Sequence, residues 1–439
     1  MDSYDLFAPK QTMQNIKCAY EVYRQNGYIT TMLFNGQSIN KITSDYTGIA
    51  LRDQQKGYER MICVSGASEY NIGRLKNLLQ LCEGSTHIAD VEQLPPLKQP
   101  LLESDSKELF GETKKAVEGH NITVTLSHLK NQSVLSPFNE PSNQLKKSQE
   151  FILLALEGND NPDESRCLLG VYPNARCVTT AQIEAARDWQ LQRRKLTKPF
   201  AAGKYPLVFA PGIGGILIHE VIGHQFELSK SFSAHSPTKY RRGYKLFSDN
   251  LTVVDAPLSL MPTQNFDDEG TTKKETVLIK DGAIISPLTD MHSIYTYPDY
   301  PLTGNCRRES YLHYPTSRLF NTYVKNGADS ASQAINNIKH GFYVEEISYA
   351  VCHHRTGAVL ICASKAKVIR RGKITDTPAT FYIDDIASSF FDVKFICDDL
   401  LLLPGFCHAS SGGLYMEHGS PTIGFDNISL RNGFVYKTR

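Results

Sequence analysis

The sequence of 439 residues contains no apolar run long enough to cross a bilayer as a helix. Its first seven residues also lack the charged and apolar regions of a secretory signal peptide. Ten cysteines are scattered without the paired spacing of a disulfide framework, a pattern typical of a reducing compartment. We therefore expect a cytoplasmic protein that does not contact a membrane.

The sequence also lacks an excess of either charge. Lysine and arginine together number 47, against 46 aspartates and glutamates. Proteins that bind nucleic acid usually present a basic face that neutralises phosphates. The balanced charge therefore predicts that nucleic acid is not a partner. The sequence also shows no fixed-period repeat or low-complexity tract.

The most informative stretch is residues 211–227, Pro-Gly-Ile-Gly-Gly-Ile-Leu-Ile-His-Glu-Val-Ile-Gly-His-Gln-Phe-Glu. On an ideal helix of about 100° per residue, its two histidines and two glutamates fall within one sector of about 140°. The apolar residues lie largely outside that sector, so they can pack while the polar side chains face a cleft. Two imidazoles and two carboxylates on one side of a helix predict a hydrolytic site that uses a metal ion.

His219 and His224 are five residues apart, not four as in the common His-Glu-x-x-His motif, and their Cα atoms would be about 8.6 Å apart on an ideal helix. The rings can converge across this gap, with Gly223 leaving room for the metal, or a π-type bulge can bring them together. Glu220 can take a proton from water and deliver it to a leaving amine, as a peptidase requires. The alternative for this pattern alone is a pair of hydrogen-bonded histidines on an ordinary helix.

A catalytic zinc usually has three protein ligands and one open position, so a third ligand must come from elsewhere in the chain. A thiolate or an imidazole on a rigid loop near a strand end would suit this role. Spacing does not choose among the candidates, which are Cys352, His353, His354, Cys407, His408 and His418.

Residues 214–224 resemble the signature helix of the TldD/PmbA family of metallopeptidases, also called modulators of DNA gyrase. Further motifs follow in the order of that family. They are Asp-Asp-Glu-Gly at 267–270, Thr-Gly-Asn-Cys-Arg-Arg-Glu-Ser-Tyr at 303–311, Asn-Thr-Tyr at 321–323, and a cysteine, Cys407, fourteen residues before Pro421-Thr422.

The resemblance implies that His219, His224 and Cys407 bind Zn²⁺ and that Glu220 is the general base. It also implies unfolded peptides as substrates, and either a homodimer or a heterodimer with a metal-free PmbA-like relative. Because all four site residues are present, the chain resembles the active, TldD-like type. The alternatives are a non-hydrolytic peptide-binding scaffold subunit and a metal-dependent tailoring enzyme in a biosynthetic pathway.

Some positions depart from the family pattern without changing the four site residues. Residues 228–231 and 408–411 differ from the runs usual in the family, which bears on substrate preference. Arg307 and Arg308 could grip a peptide carboxylate. We expect them instead to have a structural role in the turn at 304–305.

Length and local patterns predict the domain organisation. A chain of this length is too long for one ordinary core, and the prolines at 95, 96 and 100 predict a linker. Helices are predicted at 14–25, 71–82 and 181–195, and strands at 28–34, 38–44, 47–52 and 205–210. We predict an α+β fold. Its N-terminal region, residues 1–90, is α/β with an antiparallel sheet and helices, and a linker at 91–120 and a central α+β segment at 121–200 follow. The C-terminal domain, residues 201–439, is β-rich and carries the zinc helix.

Overall fold

A computed structural model describes residues 20–55, 58–65, 104–137, 144–158, 166–228, 242–257, 265–353 and 355–436. Six described strands form an N-terminal antiparallel sheet in the order β3-β2-β1-β4-β5-β6. Their bounds are β1 Tyr20–Phe34, β2 Ile39–Gln55, β3 Tyr58–Ser65, β4 Ile122–Ser136, β5 Leu145–Gly158 and β6 Arg166–Tyr172.

Two helices, α1 Ser104–Val117 and α2 Thr180–Arg193, cover this sheet. Apolar side chains on both helices pack with alternate residues of β4 and β5 in one core, which includes Leu109, Phe110, Ile183, Val124 and Leu154. Alternation of this kind is expected of a strand with one face buried. A capping box at Thr179 and Gln182 begins α2, which confirms the helix predicted at 181–195.

The helix predicted at 14–25 is wrong in its described part, because residues 20–25 begin β1. Tyr20, Val22 and Tyr23 favour a strand, and β1 is hydrogen-bonded on both sides, to β2 and to β4. The two strands predicted at 38–44 and 47–52 form the single strand β2. The helix predicted at 71–82 and the prolines at 95, 96 and 100 lie outside the described residues.

Strands from 1–90 and from 121–200 belong to one sheet, because β1 pairs with β4 along thirteen residues. Hydrogen bonds therefore join two segments that were predicted to be separate, and α1 occupies the described part of the predicted linker at 91–120. The proposed division of the chain into domains remains a prediction. None of the helices that the structure describes has the length and apolar content needed to span a bilayer.

The C-terminal region contains two larger sheets and a short ribbon. The first sheet has the order β11-β10-β9-β14-β21-β20, with β14 parallel to β21. Its strands are β9 Val253–Asp255, β10 Thr276–Lys280, β11 Ala283–Ile284, β14 Asn321–Val324, β20 Leu401–Ala409 and β21 Gly412–Ser420. The ribbon pairs β12 Cys306–Arg307 with β13 Thr316–Ser317.

The second large sheet closes on itself. Its order is β15-β8-β22-β18-β17-β16, and β15 also pairs with β17, so five strands form a barrel. Strands β7 and β19 add to β22. The bounds are β7 Leu196–Phe200, β8 Gly203–Phe209, β15 His340–Glu346, β16 Tyr349–Cys352, β17 Ala358–Arg370, β18 Lys373–Ile386, β19 Val393–Ile396 and β22 Ile423–Tyr436.

Three short helices accompany these sheets: α3 Ile213–Val221, α4 Met291–Thr296 and α5 Ala331–Asn336. Leu217, Ile218 and Val221 of α3 are fully buried in the same core as the barrel residues Phe209 and Phe381. The C-terminal region is thus β-rich and carries the histidine helix, which confirms the predicted α+β fold class.

Two glycines let α3 lie directly on β21. A Cβ atom at Gly215 would be 2.4 Å from the backbone nitrogen of Gly419, and one at Gly214 would be 2.4 Å from Ile423 Cγ2. Gly212 precedes the helix with a φ of 81°, and its N–H donates to Ser420 O at 2.8 Å. The start of α3 is therefore fixed to the sheet, and this contact places His219 near the strands that follow much later in the chain.

Candidate metal centre

The two histidines lie on different kinds of helix. His219 is on α3, which ends at Val221, whereas His224 is on a 3₁₀ turn, Gly223–Phe226. Between them Ile222 has a φ of −110° and a ψ of −55°, while its N–H still donates to Ile218 O at 3.0 Å. The backbone therefore changes from an α-helix to a 3₁₀ turn between the two histidines. The ring centroids are 4.6 Å apart.

Neither geometry considered from the sequence is the one observed, since the segment is neither a continuous α-helix nor a π-bulge. The role predicted for Gly223 is also wrong. A Cβ atom at this position would be 2.7 Å from Leu319 Cδ1, so the glycine makes room for the packing of Leu319.

Cys407 completes a group of three possible metal ligands. One ligand atom from each of His219, His224 and Cys407 can be chosen so that all three lie within 4.8 Å of one another. Cys407 Sγ is 3.2 Å from His224 Nε2. Zinc bonds of about 2.0–2.3 Å to nitrogen and sulfur separate tetrahedral ligand atoms by roughly 3.4–3.6 Å. The group is therefore close to the size that one zinc ion requires.

His219 has the properties of a metal ligand. The side chain is buried, and neither ring nitrogen has a hydrogen-bond partner among the described residues. Two unsatisfied nitrogens in a buried ring are costly unless something binds them. Burial, with added repulsion from His224 and His418, lowers the pKa of His219 well below its usual value. The ring is therefore neutral, which is the form that binds metals.

Glu227 and Arg318 hold the other two members of the group. Glu227 Oε1 is 3.1 Å from His224 Nδ1, which leaves Nε2 directed toward Cys407. Arg318 Nη2 donates to Cys407 Sγ at 3.2 Å. Burial acts to raise the pKa of the Cys407 thiol, but His224 and Arg318 outweigh it and lower the pKa below its usual value. Thiolate, not thiol, is the metal-binding form of cysteine.

Glu220 differs from these residues because part of its side chain is accessible. Its side chain is 21 % exposed, and Oε1 is 3.9 Å from His224 Nε2. A carboxylate in this position lies beside the predicted ligands without joining the group of three. It is the predicted site residue that a substrate could reach most directly.

The other candidates for the third ligand lie elsewhere. His418 is buried, and its Nδ1 donates to Gly212 O at 3.2 Å, at the start of α3. His408 is exposed and contacts Phe406 at the surface of β20. His353 is exposed, and its Nδ1 lies 3.0 Å from Thr356 Oγ1 in the turn after β16. His354 lies outside the described residues.

Cys352 faces the same side of α3 as Glu220 without joining the three ligand candidates. Burial, followed by the nearby Glu220 carboxylate, raises the pKa of the Cys352 thiol to about 11. A thiol with a raised pKa is a poor metal ligand at neutral pH. Cys352 therefore lines the site next to Glu220 and stays protonated.

The motifs at 267–270 and 303–311 connect the N-terminal sheet to the region of the candidate metal centre. Asp268 Oδ2 accepts from the Arg308 backbone N–H at 2.8 Å, and Asp268 Oδ1 is 3.0 Å from Lys147 Nζ on β5. The Arg308 guanidinium is ion-paired with Glu21 on β1. Arg307 Nη1 donates to Leu319 O at 2.8 Å. Both arginines are buried by contacts within the protein, as expected for a structural role.

Sequence reasoning did not assign roles to Glu227 and Arg318. Glu227 lies on the predicted polar stripe, and its spacing of three from His224 is a signal that could have identified it. Arg318 has no such signal, because it is 89 residues from Cys407 and no short motif joins them. Only the approach of β20 to the segment after β13 brings the two together.

Comparison with known proteins gives the same picture. One curated relative is a metalloprotease TldD homolog from Buchnera aphidicola, which is 27 % identical over 53 % of this chain and 49 % of its own length. Another is a zinc metalloprotease TldD homolog from Saccharolobus solfataricus, which is 28 % identical over 53 % of this chain and 53 % of its own length. The chain thus spans about half the length of the curated relatives it matches. All four site residues lie in the C-terminal region of this chain.

Solved structures share the fold over nearly the whole chain. TldE from Thermococcus kodakarensis superimposes with a TM-score of 0.67 at 16 % identity, covering 94 % of this chain and 96 % of its own. A protein from Thermotoga maritima described as a modulator of a DNA gyrase gives 0.68 at 12 % identity with the same coverage. At these identities the likeness concerns the fold. The model of the PmbA/TldA metallopeptidase C-terminal domain matches residues 202–431, just over half of the chain, and the chain therefore belongs to the PmbA/TldD metallopeptidase family.

Proposed function

We propose that this protein is a zinc-dependent peptidase in which His219, His224 and Cys407 bind the metal. The observation that carries the proposal is the approach of these three ligand atoms to within 4.8 Å of one another, with Glu220 Oε1 3.9 Å from His224 Nε2. Two imidazoles and one thiolate suit Zn²⁺ and leave a fourth position for water or substrate. The names of the curated relatives support a metalloprotease.

When bound, the zinc would act as a Lewis acid that polarises the scissile carbonyl and lowers the pKa of water. Glu220 acts as the general base, because its carboxylate is partly accessible and next to the ligand nitrogens. It takes a proton from the attacking water and then delivers it to the leaving amine. The ring of His219 is neutral, as metal binding requires, and the lowered pKa of Cys407 favours its thiolate.

The substrate is an unfolded peptide, bound through its backbone. Strand β16 is at the end of its sheet and pairs only with β17 among the described strands. It packs against α3, with Cys352 next to Glu220, and the side chains of Tyr349 and Val351 are 51 % and 39 % exposed. An extended peptide added to this edge would make main-chain hydrogen bonds beside Glu220, with little dependence on its sequence.

The active form is a dimer, either of two identical chains or with a metal-free relative. The shared fold with TldE from Thermococcus kodakarensis is compatible with such a pair, and this chain retains the four site residues of the active type. Light scattering of the purified protein at micromolar concentration, alone and with a metal-free relative from the same source, measures the assembly. A monomer in both samples would contradict this part of the proposal.

The test of catalysis is Glu220→Gln. The substitution removes the base and keeps the three ligands, so zinc content should stay at one per chain while peptide hydrolysis falls by at least about 10²-fold. Hydrolysis is followed with an unstructured peptide that carries a fluorophore and a quencher at opposite ends. Glu184→Gln, on the exposed side of α2, is the matched control and should be as active as the wild type.

The outcomes separate the proposed function from its alternatives. Full hydrolysis by Glu220→Gln would refute the assignment of the base. A wild-type protein that binds peptide but holds no zinc would favour a scaffold subunit. A zinc-loaded wild type that cleaves none of a broad set of unstructured peptides would favour a tailoring enzyme with one dedicated substrate.

A further inference from the structure

Arg318 uses its whole guanidinium group at the metal centre. Nη2 donates to Cys407 O at 3.0 Å and to Cys407 Sγ at 3.2 Å. Nη1 donates to Ser411 Oγ at 2.7 Å and to Gly412 O at 3.2 Å. Nε lies 3.5 Å from Glu227 Oε1. The buried side chain of Arg318 therefore contacts three parts of the site. They are the predicted ligand Cys407, the turn at 411–412 that follows it, and the carboxylate of Glu227, which lies beside the predicted ligand His224.

The position of Arg318 is itself fixed from the backbone. Its N–H donates to Asn305 O at 2.9 Å, and Asn305 Nδ2 donates back to Arg318 O at 3.3 Å. Asn305 also donates to Asp255 Oδ1 at 2.7 Å, on β9 of the same sheet as β20 and β21. Hydrogen bonds through Asn305 thus join the backbone of Arg318 to β9, and four hydrogen-bond acceptors hold its guanidinium in one rotamer.

Cys407 needs such support because of where it lies. It is near the end of β20, which is the last strand in the order of its sheet, and its partner His224 is 183 residues earlier in the chain. A strand that is hydrogen-bonded to a neighbouring strand on one edge alone has fewer backbone contacts to fix the distance from Sγ to His224. Ligands of a metal site are usually held by a further layer of hydrogen bonds for this reason.

We propose that Arg318 is a positioning residue that fixes the Cys407 thiolate against the His224 imidazole and limits the electron density that the sulfur donates to the metal. This inference rests on the proposed metal site. The N–H donated to Sγ withdraws electron density from the thiolate, while the contact with Glu227 ties the strand ligand to the helix ligand. Lysine cannot replace arginine here, since a single ammonium group cannot reach four acceptors in a planar fork.

The test replaces zinc with Co²⁺, which gives a thiolate-to-cobalt charge-transfer band in the near ultraviolet. In Arg318→Lys and Arg318→Gln the band should move to longer wavelength, because the sulfur becomes a stronger donor. Zinc affinity, measured by competition with a chromophoric chelator, should fall by about 10- to 100-fold. Neither readout depends on peptidase activity.

Arg308→Lys is the matched control. Arg308 is equally buried and ion-paired, but its partners are Glu21 and Asp268, away from the ligands. The control should lower the thermal unfolding midpoint and leave the band and the zinc affinity unchanged. If both Arg318 variants fail to fold, Ser411→Ala decides, because it keeps the guanidinium, removes one acceptor and should give a smaller change in the same direction.

Two negative outcomes are distinguishable. A wild type without a charge-transfer band would overturn the metal site and this inference with it. A wild-type band that the folded Arg318 or Ser411 variants leave unchanged would overturn only the positioning role. Equal losses of zinc affinity in Arg318→Lys and Arg308→Lys would also overturn it, because the effect would then follow from general destabilisation.

Discussion

At the scale of single residues, burial and charge decide what the candidate metal centre could bind. His219 and Cys407 are both buried, yet their pKa values move below the usual range for different reasons. Burial keeps the imidazole of His219 neutral, whereas His224 and Arg318 stabilise the thiolate of Cys407 against burial. Both lowered pKa values favour the form of the side chain that binds a metal.

The residue-scale prediction concerns Cys407, the proposed ligand that local spacing did not identify. Cys407→Ala removes the thiolate and leaves two imidazoles, which are too few for a stable zinc site. The purified variant should contain well under one zinc per chain by mass spectrometry of metals, and it should lose hydrolysis. Cys397→Ala removes another buried cysteine, which is not in the group of three ligand candidates, and should retain one zinc. Full zinc in Cys407→Ala would refute the ligand assignment.

At the scale of elements, the site depends on how closely α3 approaches β21 and where the helix breaks. Gly214 and Gly215 bring the helix backbone onto the sheet, and the α-helix gives way to a 3₁₀ turn between His219 and His224. The amphipathic pattern of residues 211–227 predicts a helix with one polar face. It does not predict the break, because the break depends on tertiary packing. Leu319 packs against Gly223, and Phe226 lies in the buried core.

The element-scale prediction is a pair of glycine substitutions with opposite signs. In Gly215→Ala the new methyl group would meet the Gly419 backbone at 2.4 Å, so α3 must move and the free energy of unfolding should fall by about 1–3 kcal/mol. In Gly111→Ala nothing lies within 4 Å of the methyl group on α1, and the free energy of unfolding should rise by about 0.5–1 kcal/mol. Chemical denaturation measures both.

The two substitutions also test the link between packing and metal binding. Gly215→Ala should weaken zinc binding together with stability, since His219 is carried on the displaced helix. Gly111→Ala should leave zinc affinity unchanged. A Gly215→Ala protein as stable as the wild type would show that the sheet accommodates the methyl group, contrary to the close contact described above.

At the scale of the whole molecule, buried charges join the N-terminal sheet to the metal region. Arg52 Nη2 lies 2.6 Å from Glu21 Oε2 and 2.6 Å from Glu269 Oε1, and all three side chains are buried. Glu21 is also ion-paired with Arg308. Burial, with repulsion from Asp290, Asp267 and Glu21, raises the pKa of Glu269 to about 8, although Arg52 opposes the shift. The carboxyl group of Glu269 should therefore keep its proton near neutral pH.

The whole-molecule prediction follows from the sign of that shift. The unfolded chain releases the proton of Glu269 near the usual pKa, whereas the folded protein keeps it until about pH 8, so the unfolded state binds fewer protons between these values. This group therefore makes the protein less stable as pH rises from about 5 to about 8. The amide introduced by Glu269→Gln does not titrate. The unfolding temperature of this variant minus that of the wild type should increase across the same range.

Differential scanning calorimetry at several pH values measures this difference. Subtracting the unfolding temperature of the wild type from that of the variant cancels the contributions of titratable groups that both proteins share. A difference that stays constant, or that falls as pH rises, would show that Arg52 keeps Glu269 ionised in the folded protein.

Local signals in the sequence predicted the class of the fold, which is confirmed, and a zinc chemistry for the site, which stays a prediction. The order of motifs from 214 to 422 identified the family, the polar stripe identified His219, Glu220 and His224, and alternation predicted several of the strands. Each of these signals is local or follows chain order, so it can be read without coordinates. The helix predicted at 14–25 failed in its described part because pairing with β2 and β4 outweighs a local pattern.

The way in which the parts of the site meet depends instead on long-range packing. The parallel pairing of β14 with β21 and the hairpin of β20 with β21 bring Cys407 to His224, and they place Arg318 beside the sulfur. The Leu319 N–H, 92 residues further along the chain, donates to Glu227 Oε1 at 3.1 Å. These contacts join residues far apart in the chain and require the packing of whole sheets, which no short stretch of sequence specifies.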